Sequence, residues 1–118
     1  MTYALLIYSS LPPGSSLPPE TEAAALERHR ALQRRAAERG ELHAVARLDS
    51  ESATRIVRRQ DDELMVTDGP FMESKEWLVG FYLLDCANES EAVERAGSLC
   101  LDEAHSIEVR PVSWRWRL

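Results

Sequence analysis

The clearest core strand of the chain is Gly80-Phe81-Tyr82-Leu83-Leu84-Asp85, a run that is apolar on both faces. Near the start, Tyr3 to Tyr8 is a shorter aromatic and aliphatic run that also predicts a mostly buried strand. Ile107 to Val112 predicts a last strand. Its Pro111 lies near the end, where a missing N–H is tolerated at a sheet edge.

A first helix is predicted from about Pro19 to Arg39. Prolines suit the first turn of a helix, and Gly40 is a natural C-terminal cap. The stretch from Ser9 to Pro19 is rich in proline and serine and predicts a loop, either a lid or a linker. The apolar stripe of the helix follows the spacing of one helical face: Ala25, Leu26, His29, Leu32 and Ala36.

A second helix is predicted after Asn88, because Asn88 and Glu91 have the spacing of a capping box. Its predicted buried face consists of Ala92, Val93, Ala96, Leu99 and Cys100.

The middle of the chain predicts further strands. Leu42 to Leu48 and Thr54 to Arg59 are separated by a polar segment, which indicates a hairpin between them. A turn follows at residues 60–63, and residues 64–67 form a short strand that leads into Asp68-Gly69-Pro70.

This order of elements predicts an α+β fold of the ferredoxin-like plan, with two helices on one face of an antiparallel sheet. The other sheet face then needs a cover, which a second subunit would supply. We therefore predict a homodimer with Trp114 and Trp116 as an apolar clasp. The alternative, that both tryptophans pack on their own subunit, stays open.

Length and composition limit the classes of protein. The 118 residues predict one domain over residues 1–118, and 44% hydrophobic with 29% charged residues is typical of a globular protein. The net charge of −6 argues against direct nucleic-acid binding. Without a bilayer-length apolar run or a basic leader, we expect no membrane insertion and a cytoplasmic location.

No spacing in the chain predicts a cofactor or a metal. Histidines and cysteines do not occur at metal-ligand spacings, and phosphate-binding and dinucleotide fingerprints are missing. Cys86 and Cys100 are interpreted as small buried hydrophobes. We therefore predict neither a metal nor a cofactor.

The most distinctive segment is Val66 to Glu76, which packs four ionisable side chains beside a Gly-Pro turn: Asp68, Glu73, Lys75 and Glu76. Lys75 is the only lysine of the chain, and an ammonium is a compact, rotatable charge. Glu73, Lys75 and Glu76 either pair with one another or contact a ligand.

This segment resembles the DGPFxExKE signature of the DGPF group of the YCII-related family. The resemblance extends over nearly the whole chain, including Ala53-Thr54-Arg55, Gly80-Phe81-Tyr82 and the run from Glu108 to Val112. It implies a ferredoxin-like fold, paired as a dimeric α+β barrel with a cleft for a small molecule. It also implies a histidine and aspartate active-site pair, in which the histidine corresponds to His29 and the aspartate to Asp68 or Asp49.

His29 is also distinctive on its own, because it lies on the apolar stripe of its helix, where an imidazole needs a partner. A carboxylate partner would orient the ring as a general base requires. A satisfied core histidine is the alternative. His43 and His105 are interpreted as surface or capping residues.

Two functions remain open. One is an enzyme that transfers protons on a small anionic or carbonyl-bearing molecule, of the lyase or isomerase type. In it His29 is the base, Asp68 its orienter and Lys75 the stabiliser of negative charge. Asp49, Glu73 and Glu76 are then the predicted substrate-binding residues. The other is a non-catalytic ligand-binding or regulatory module, which the family resemblance connects with alternative sigma factors.

Overall fold

The structure, a computed structural model, describes residues 1–12, 14–70 and 75–116. In this part of the chain it contains six strands, two α-helices and the 3-10 turn Glu51–Ala53. The helices are α1 (Pro19–Glu38) and α2 (Glu89–Gly97). The strands are β1 (Thr2–Ser9), β2 (Leu42–Arg47), β3 (Arg55–Gln60), β4 (Glu63–Asp68), β5 (Trp77–Asp85) and β6 (His105–Pro111).

Four strands form an antiparallel sheet in the order β2-β5-β1-β6, and β3 and β4 form a separate two-stranded sheet. The α+β architecture is confirmed, and strand order and helices are consistent with the predicted ferredoxin-like fold. The predicted hairpin between residues 42–48 and 54–59 is wrong, because β2 pairs with β5 and β3 pairs with β4. The 3-10 turn Glu51–Ala53 lies between β2 and β3, which belong to different sheets.

The core lies on one face of the four-stranded sheet. Alternate residues of β1 and β5 are buried there, and Leu5 and Leu84 are fully inaccessible to water. Both helices cover this face, so the two helices share one core with the sheet. Burying a leucine side chain contributes about 1.5–3 kcal/mol. The helix residues of this core are Ala36, Ala92 and Ala96, and Leu99 joins them from the turn after α2.

The ends of the helices follow the predicted signals. Gly40 has a φ of 67° and its N–H bonds to the carbonyl of Ala37, so a residue without a side chain closes α1. At α2 the side chain of Asn88 accepts the N–H of Glu91 at 2.9 Å. The prediction that Val93 and Cys100 belong to the buried face is wrong, since both are exposed.

The opposite face of the sheet is apolar and lacks the helices. Leu6 and Tyr8 of β1 and Phe81 and Leu83 of β5 lie there and are half-buried. Trp114 and Trp116 are 74% and 71% exposed and contact each other edge to face. These exposures do not match the alternative in which both tryptophans pack into their own subunit. Within the described residues, neither helix is long and apolar enough to cross a bilayer.

Candidate functional site

A cleft of about 960 Å³ lies between α1 and the helix-covered face of the sheet. The loop before α1 and residues 48–51 after β2 form its rim. Its size is within the range of small-molecule sites. Polar side chains from four different elements converge on it: His29 and Gln33 of α1, Arg47 of β2, Tyr82 of β5 and His105 of β6.

His29 is bound to Tyr82 rather than to a carboxylate. Its ring nitrogen Nδ1 lies 2.7 Å from the hydroxyl of Tyr82, and the two rings stack nearly parallel. The amide N–H of Gln33 donates to the same hydroxyl at 3.1 Å. Gln33 follows His29 by four residues, so one helix face presents both side chains to Tyr82.

The hydrogen bonds of Tyr82 allow a tautomer of His29 in which Nδ1 is the acceptor. The Tyr82 oxygen accepts the N–H of Gln33, and its own proton can be donated to Nδ1 of His29. In that arrangement the neutral ring carries its proton on Nε2 and presents an N–H donor to a molecule in the cleft.

The surroundings of His29 favour this neutral ring. Burial lowers the pKa of His29, and repulsion from the protonated form of His105 and from Arg47 lowers it further. Burial likewise raises the pKa of the Tyr82 phenol, although the hydrogen bond from Gln33 opposes the shift. Both groups are uncharged near neutral pH, as the hydrogen-bond chain requires.

Because its pKa is lowered in the folded chain, His29 makes the free energy of unfolding decrease in acid. In the unfolded chain the ring takes up a proton near pH 6.5, whereas the folded chain does so only at lower pH. The neutral ring of His29 makes its full contribution to the free energy of unfolding above about pH 6.5. This contribution is lost as the pH falls through the pKa that His29 has in the folded chain. We expect the free energy of unfolding, measured by urea denaturation across this range, to fall less steeply in His29→Gln than in the wild type. Equal slopes would contradict the prediction.

The described residues of the acidic segment, Asp68, Lys75 and Glu76, do not line this cleft. Asp68, at the end of β4, has a side chain that is 89% exposed and pairs with Arg55 at 3.3 Å. Such exposed pairs contribute little to stability. Lys75 is exposed, and Glu76 accepts the hydroxyl of Ser106 in a separate shallow pocket. Glu73 lies outside the described residues.

Of the predicted site residues, His29 and Asp49 line the same cleft. Asp49 lies in the segment that follows β2, and its carboxylate accepts the N–H of Ser50 at 2.7 Å. Of the two aspartates that the sequence left open as partners of His29, Asp49 therefore lines the same cleft and Asp68 does not.

Several cleft residues were not predicted. His105 was interpreted as a surface or capping residue, but it is the first residue of β6 and lines the cleft together with Asp102. Tyr82 was assigned to the core strand without a role for its hydroxyl. Its sequence signal was available, because a tyrosine in a buried strand usually finds a hydrogen-bond partner.

Metal ligands do not cluster in the described ranges: no group of three histidine, cysteine, aspartate or glutamate side chains there is arranged to hold an ion. Cys86 is buried as predicted, whereas Cys100 is exposed, and both are free thiols.

Comparison with known sequences identifies the family. The sequence profile of the YCII-related domain matches residues 1–117. The chain belongs to the YCII-related family. It is also 39% identical over 115 residues to the uncharacterized protein R00369 of Rhizobium meliloti (strain 1021), an alignment that covers 96% of this chain and 93% of that protein. The YCII-related resemblance predicted from the sequence is thus confirmed over nearly the full length.

Proposed function

We propose that the cleft binds a small molecule that carries a negative charge and a carbonyl group, and that proton transfer takes place on it, as in lyase or isomerase chemistry. The observation that carries the proposal is the position of His29. Its Nδ1 is occupied by Tyr82, its ring is held neutral, and it lines a cleft of small-molecule size. Such a ring polarises a carbonyl oxygen by donating a hydrogen bond from Nε2.

Arg47 supports the anionic character of the ligand. It is exposed at the cleft, and its positive charge is close enough to lower the pKa of His29. In the part of the chain that the structure describes, its guanidinium forms no ion pair with an acidic side chain. A guanidinium matches the geometry of a carboxylate with two parallel hydrogen bonds.

Asp49 is the better candidate for the aspartate of the active-site pair that the family resemblance implies, because it lines the cleft with His29. The acidic segment then has a structural role at the base of the β3 and β4 hairpin. Asp68 pairs with Arg55 across the two strands, and the N–H of Gly69 bonds to the carbonyl of Thr54. A side chain at Gly69 would force Thr54 to shift, since a Cβ would lie 2.6 Å from a methyl group of Thr54.

The test uses hydrogen exchange, which reveals proton transfer even where the product is unidentified. Small carboxylates with a neighbouring carbonyl group, beginning with pyruvate, are incubated with the protein in D2O and followed by proton NMR. We expect the wild type to accelerate exchange of the protons next to the carbonyl for at least one compound. His29→Ala should lower this rate by about 10²–10⁴-fold.

His43→Gln is the control, because His43 pairs with Asp85 outside the cleft and should exchange at the wild-type rate. Urea denaturation of each variant separates loss of fold from loss of chemistry. If no compound exchanges faster with the wild-type protein than without it, or if His29→Ala keeps the full rate, the catalytic proposal is wrong.

A non-catalytic module is the second candidate, favoured by the exposed pair of Trp114 and Trp116. An exposed aromatic pair is typical of a contact surface for another protein. In this version the cleft binds a ligand without turning it over, and the tail contacts a regulatory partner such as an alternative sigma factor. Binding of a carboxylate, detected through the fluorescence of Trp77 in the cleft, combined with no exchange would favour this candidate.

We also propose a homodimer of the dimeric α+β barrel type, formed through the helix-free sheet face. Leu6, Tyr8, Phe81 and Leu83 give this face the apolar character that a second sheet would bury. We expect light scattering to give the mass of two chains for the wild type and of one chain for Leu83→Arg. Leu64→Arg, on the separate β4, should remain dimeric. A monomeric wild type at micromolar concentration would exclude the dimer.

Membership of the DGPF group is proposed from the sequence. Seven positions of the DGPFxExKE signature are matched, at residues 68–71, 73, 75 and 76. The structural role of Asp68 and Gly69 gives a reason for the first two of these residue types.

A further inference from the structure

Asp102 and His105 form a second acid and histidine pair in the cleft. Nδ1 of His105 lies 3.0 Å and 3.2 Å from the two carboxylate oxygens of Asp102. The same carboxylate accepts the backbone N–H groups of Ala104 and His105 at 2.8 and 2.9 Å. The carboxylate is therefore held in place by the turn that precedes β6, and it in turn orients the ring.

The position of His105 in the sheet places its side chain on the face that the cleft adjoins. His105 pairs with Ser9 of β1, and residues paired directly across an antiparallel sheet lie on the same face. Ser9 is buried on the helix-covered face. The side chains of His105 and Asp102 are 23% and 14% exposed, so both are shielded but accessible from the cleft that His29 also lines.

The proton positions follow from hydrogen-bond chemistry. Burial alone would raise the pKa of Asp102, but its hydrogen bonds and the charge of His105 lower it, so the carboxyl stays ionised at neutral pH. An ionised carboxylate only accepts hydrogen bonds, and therefore Nδ1 of His105 carries the proton. Neutral His105 has its lone pair on Nε2, opposite to the tautomer of His29.

We propose that His105, positioned by Asp102, is the general base of the cleft, and that His29 donates a hydrogen bond to the carbonyl oxygen of the substrate. The inference rests on the proposed function and assigns the roles within it. It replaces the sequence-based prediction of His29 as the base: in it the hydroxyl of Tyr82, which accepts the N–H of Gln33, donates its proton to Nδ1 of His29 and leaves a donor on Nε2.

The reaction step is balanced within these groups. Nε2 of His105 removes a proton from the carbon next to the carbonyl, and the electron pair of that C–H bond forms a carbon–carbon double bond. The carbonyl π electrons move to the oxygen, whose negative charge is stabilised by the N–H of His29. Return of a proton from His105 to the same carbon restores the carbonyl group and completes the exchange. The substrate class is a small carboxylate with a carbonyl group and an adjacent C–H, held at Arg47.

The tautomers are tested first, because they require no substrate. NMR spectra that detect the two-bond couplings between the ring protons and the nitrogen-15 nuclei distinguish a protonated Nδ1 from a protonated Nε2. They are recorded at a pH well above the ordinary pKa of histidine. We expect protonated Nδ1 for His105 and protonated Nε2 for His29, with the signals of His43 assigned through His43→Gln. Protonated Nε2 on His105 in the wild-type protein would overturn the inference.

Asp102→Asn is the matched variant, since an asparagine oxygen still accepts the two backbone N–H groups of the turn. Its amide nitrogen takes the place of Oδ2, 3.2 Å from Nδ1 of His105, and donates to this nitrogen, which shifts the ring proton to Nε2 and removes the base. We expect the His105 signals to change tautomer while the urea midpoint stays close to that of the wild type. A purely structural role for Asp102 would leave the tautomer unchanged.

The exchange assay separates this inference from the proposed function. With a compound that the wild type exchanges, we expect His105→Gln and Asp102→Asn each to lower the rate by about 10²–10⁴-fold. A wild type that exchanges, with both variants at the full rate, overturns the role of His105 and leaves the proposed function standing. A wild type that exchanges nothing rejects the proposed function, whereas the tautomer measurement still tests the geometry of the pair.

Discussion

We expect Gly80→Ala to lower the free energy of unfolding by about 1–3 kcal/mol, because the added methyl group has no room. A Cβ at Gly80 would lie 2.7 Å from the backbone carbonyl oxygen of Ala46. This oxygen belongs to β2, which pairs with β5 at this point. A flexible side chain could turn away, but a backbone carbonyl moves only with its strand. The substitution therefore pushes β2 from β5 and deforms the wall of the cleft next to Arg47.

Gly97→Ala is the matched control. Gly97 is the last residue of α2, and nothing lies within 4 Å of a Cβ built there. Alanine at such a position should raise the free energy of unfolding by about 0.4–1 kcal/mol, because it reduces the freedom of the unfolded chain. Urea denaturation of both variants and the wild type measures the two changes. A Gly80→Ala protein as stable as Gly97→Ala would show that the close approach of β2 and β5 is not present in solution.

Local signals in the sequence predict the elements of this fold well. Alternation and apolar runs predict the strands, and the capping residues at Asn88 and Gly40 predict where α2 begins and α1 ends. The errors at Val93 and Cys100 have different reasons. Val93 follows the buried Ala92 of α2 by one position, a turn of about 100° away from the core. Cys100 lies beyond Gly97, the last residue of α2, so the helical spacing does not extend to it.

The pairing of strands is not a local property, which explains the wrong hairpin. A polar segment between two strands indicates a turn, but does not say whether the chain returns to the same sheet. The hairpin lies one connection later, between β3 and β4, where Asp61 and Asp62 have φ values of 52° and 65°. Aspartate tolerates this left-handed conformation, so the dipeptide is compatible with a tight hairpin turn.

The candidate site was predicted only in part, because it also depends on contacts between distant segments of the chain. His29 could be found because a polar ring on an apolar stripe is a local anomaly. Tyr82 and Gln33 acquire their roles only when α1 lies on β5, a contact between distant segments. His105 had a local signal that was not used: counting back by two from Ile107 and Val109 places it on the buried face of β6.

We expect Tyr82→Phe to distinguish what the hydroxyl of Tyr82 contributes from what its ring contributes. The phenyl ring keeps the stack on His29, but the hydrogen bonds to His29 and Gln33 are lost. Leaving these partly buried groups unpaired should lower the free energy of unfolding by about 1–3 kcal/mol. Without the proton from the hydroxyl, Nδ1 of His29 is no longer fixed as an acceptor, and its NMR signals should show a mixture of both tautomers.

Loss of the Tyr82 hydroxyl should also slow the hydrogen exchange of the substrate. A donor that points to the carbonyl oxygen for only part of the time stabilises its negative charge less, so the exchange rate should fall by about 10- to 100-fold. Tyr3→Phe is the control, because Tyr3 is buried in the same core on β1 but, among the described residues, forms no hydrogen bond or ring stack with His29. It should leave both the tautomer and the exchange rate unchanged. If Tyr82→Phe also leaves the tautomer of His29 unchanged, the hydroxyl does not set the proton position, and the donor role of His29 loses its physical basis.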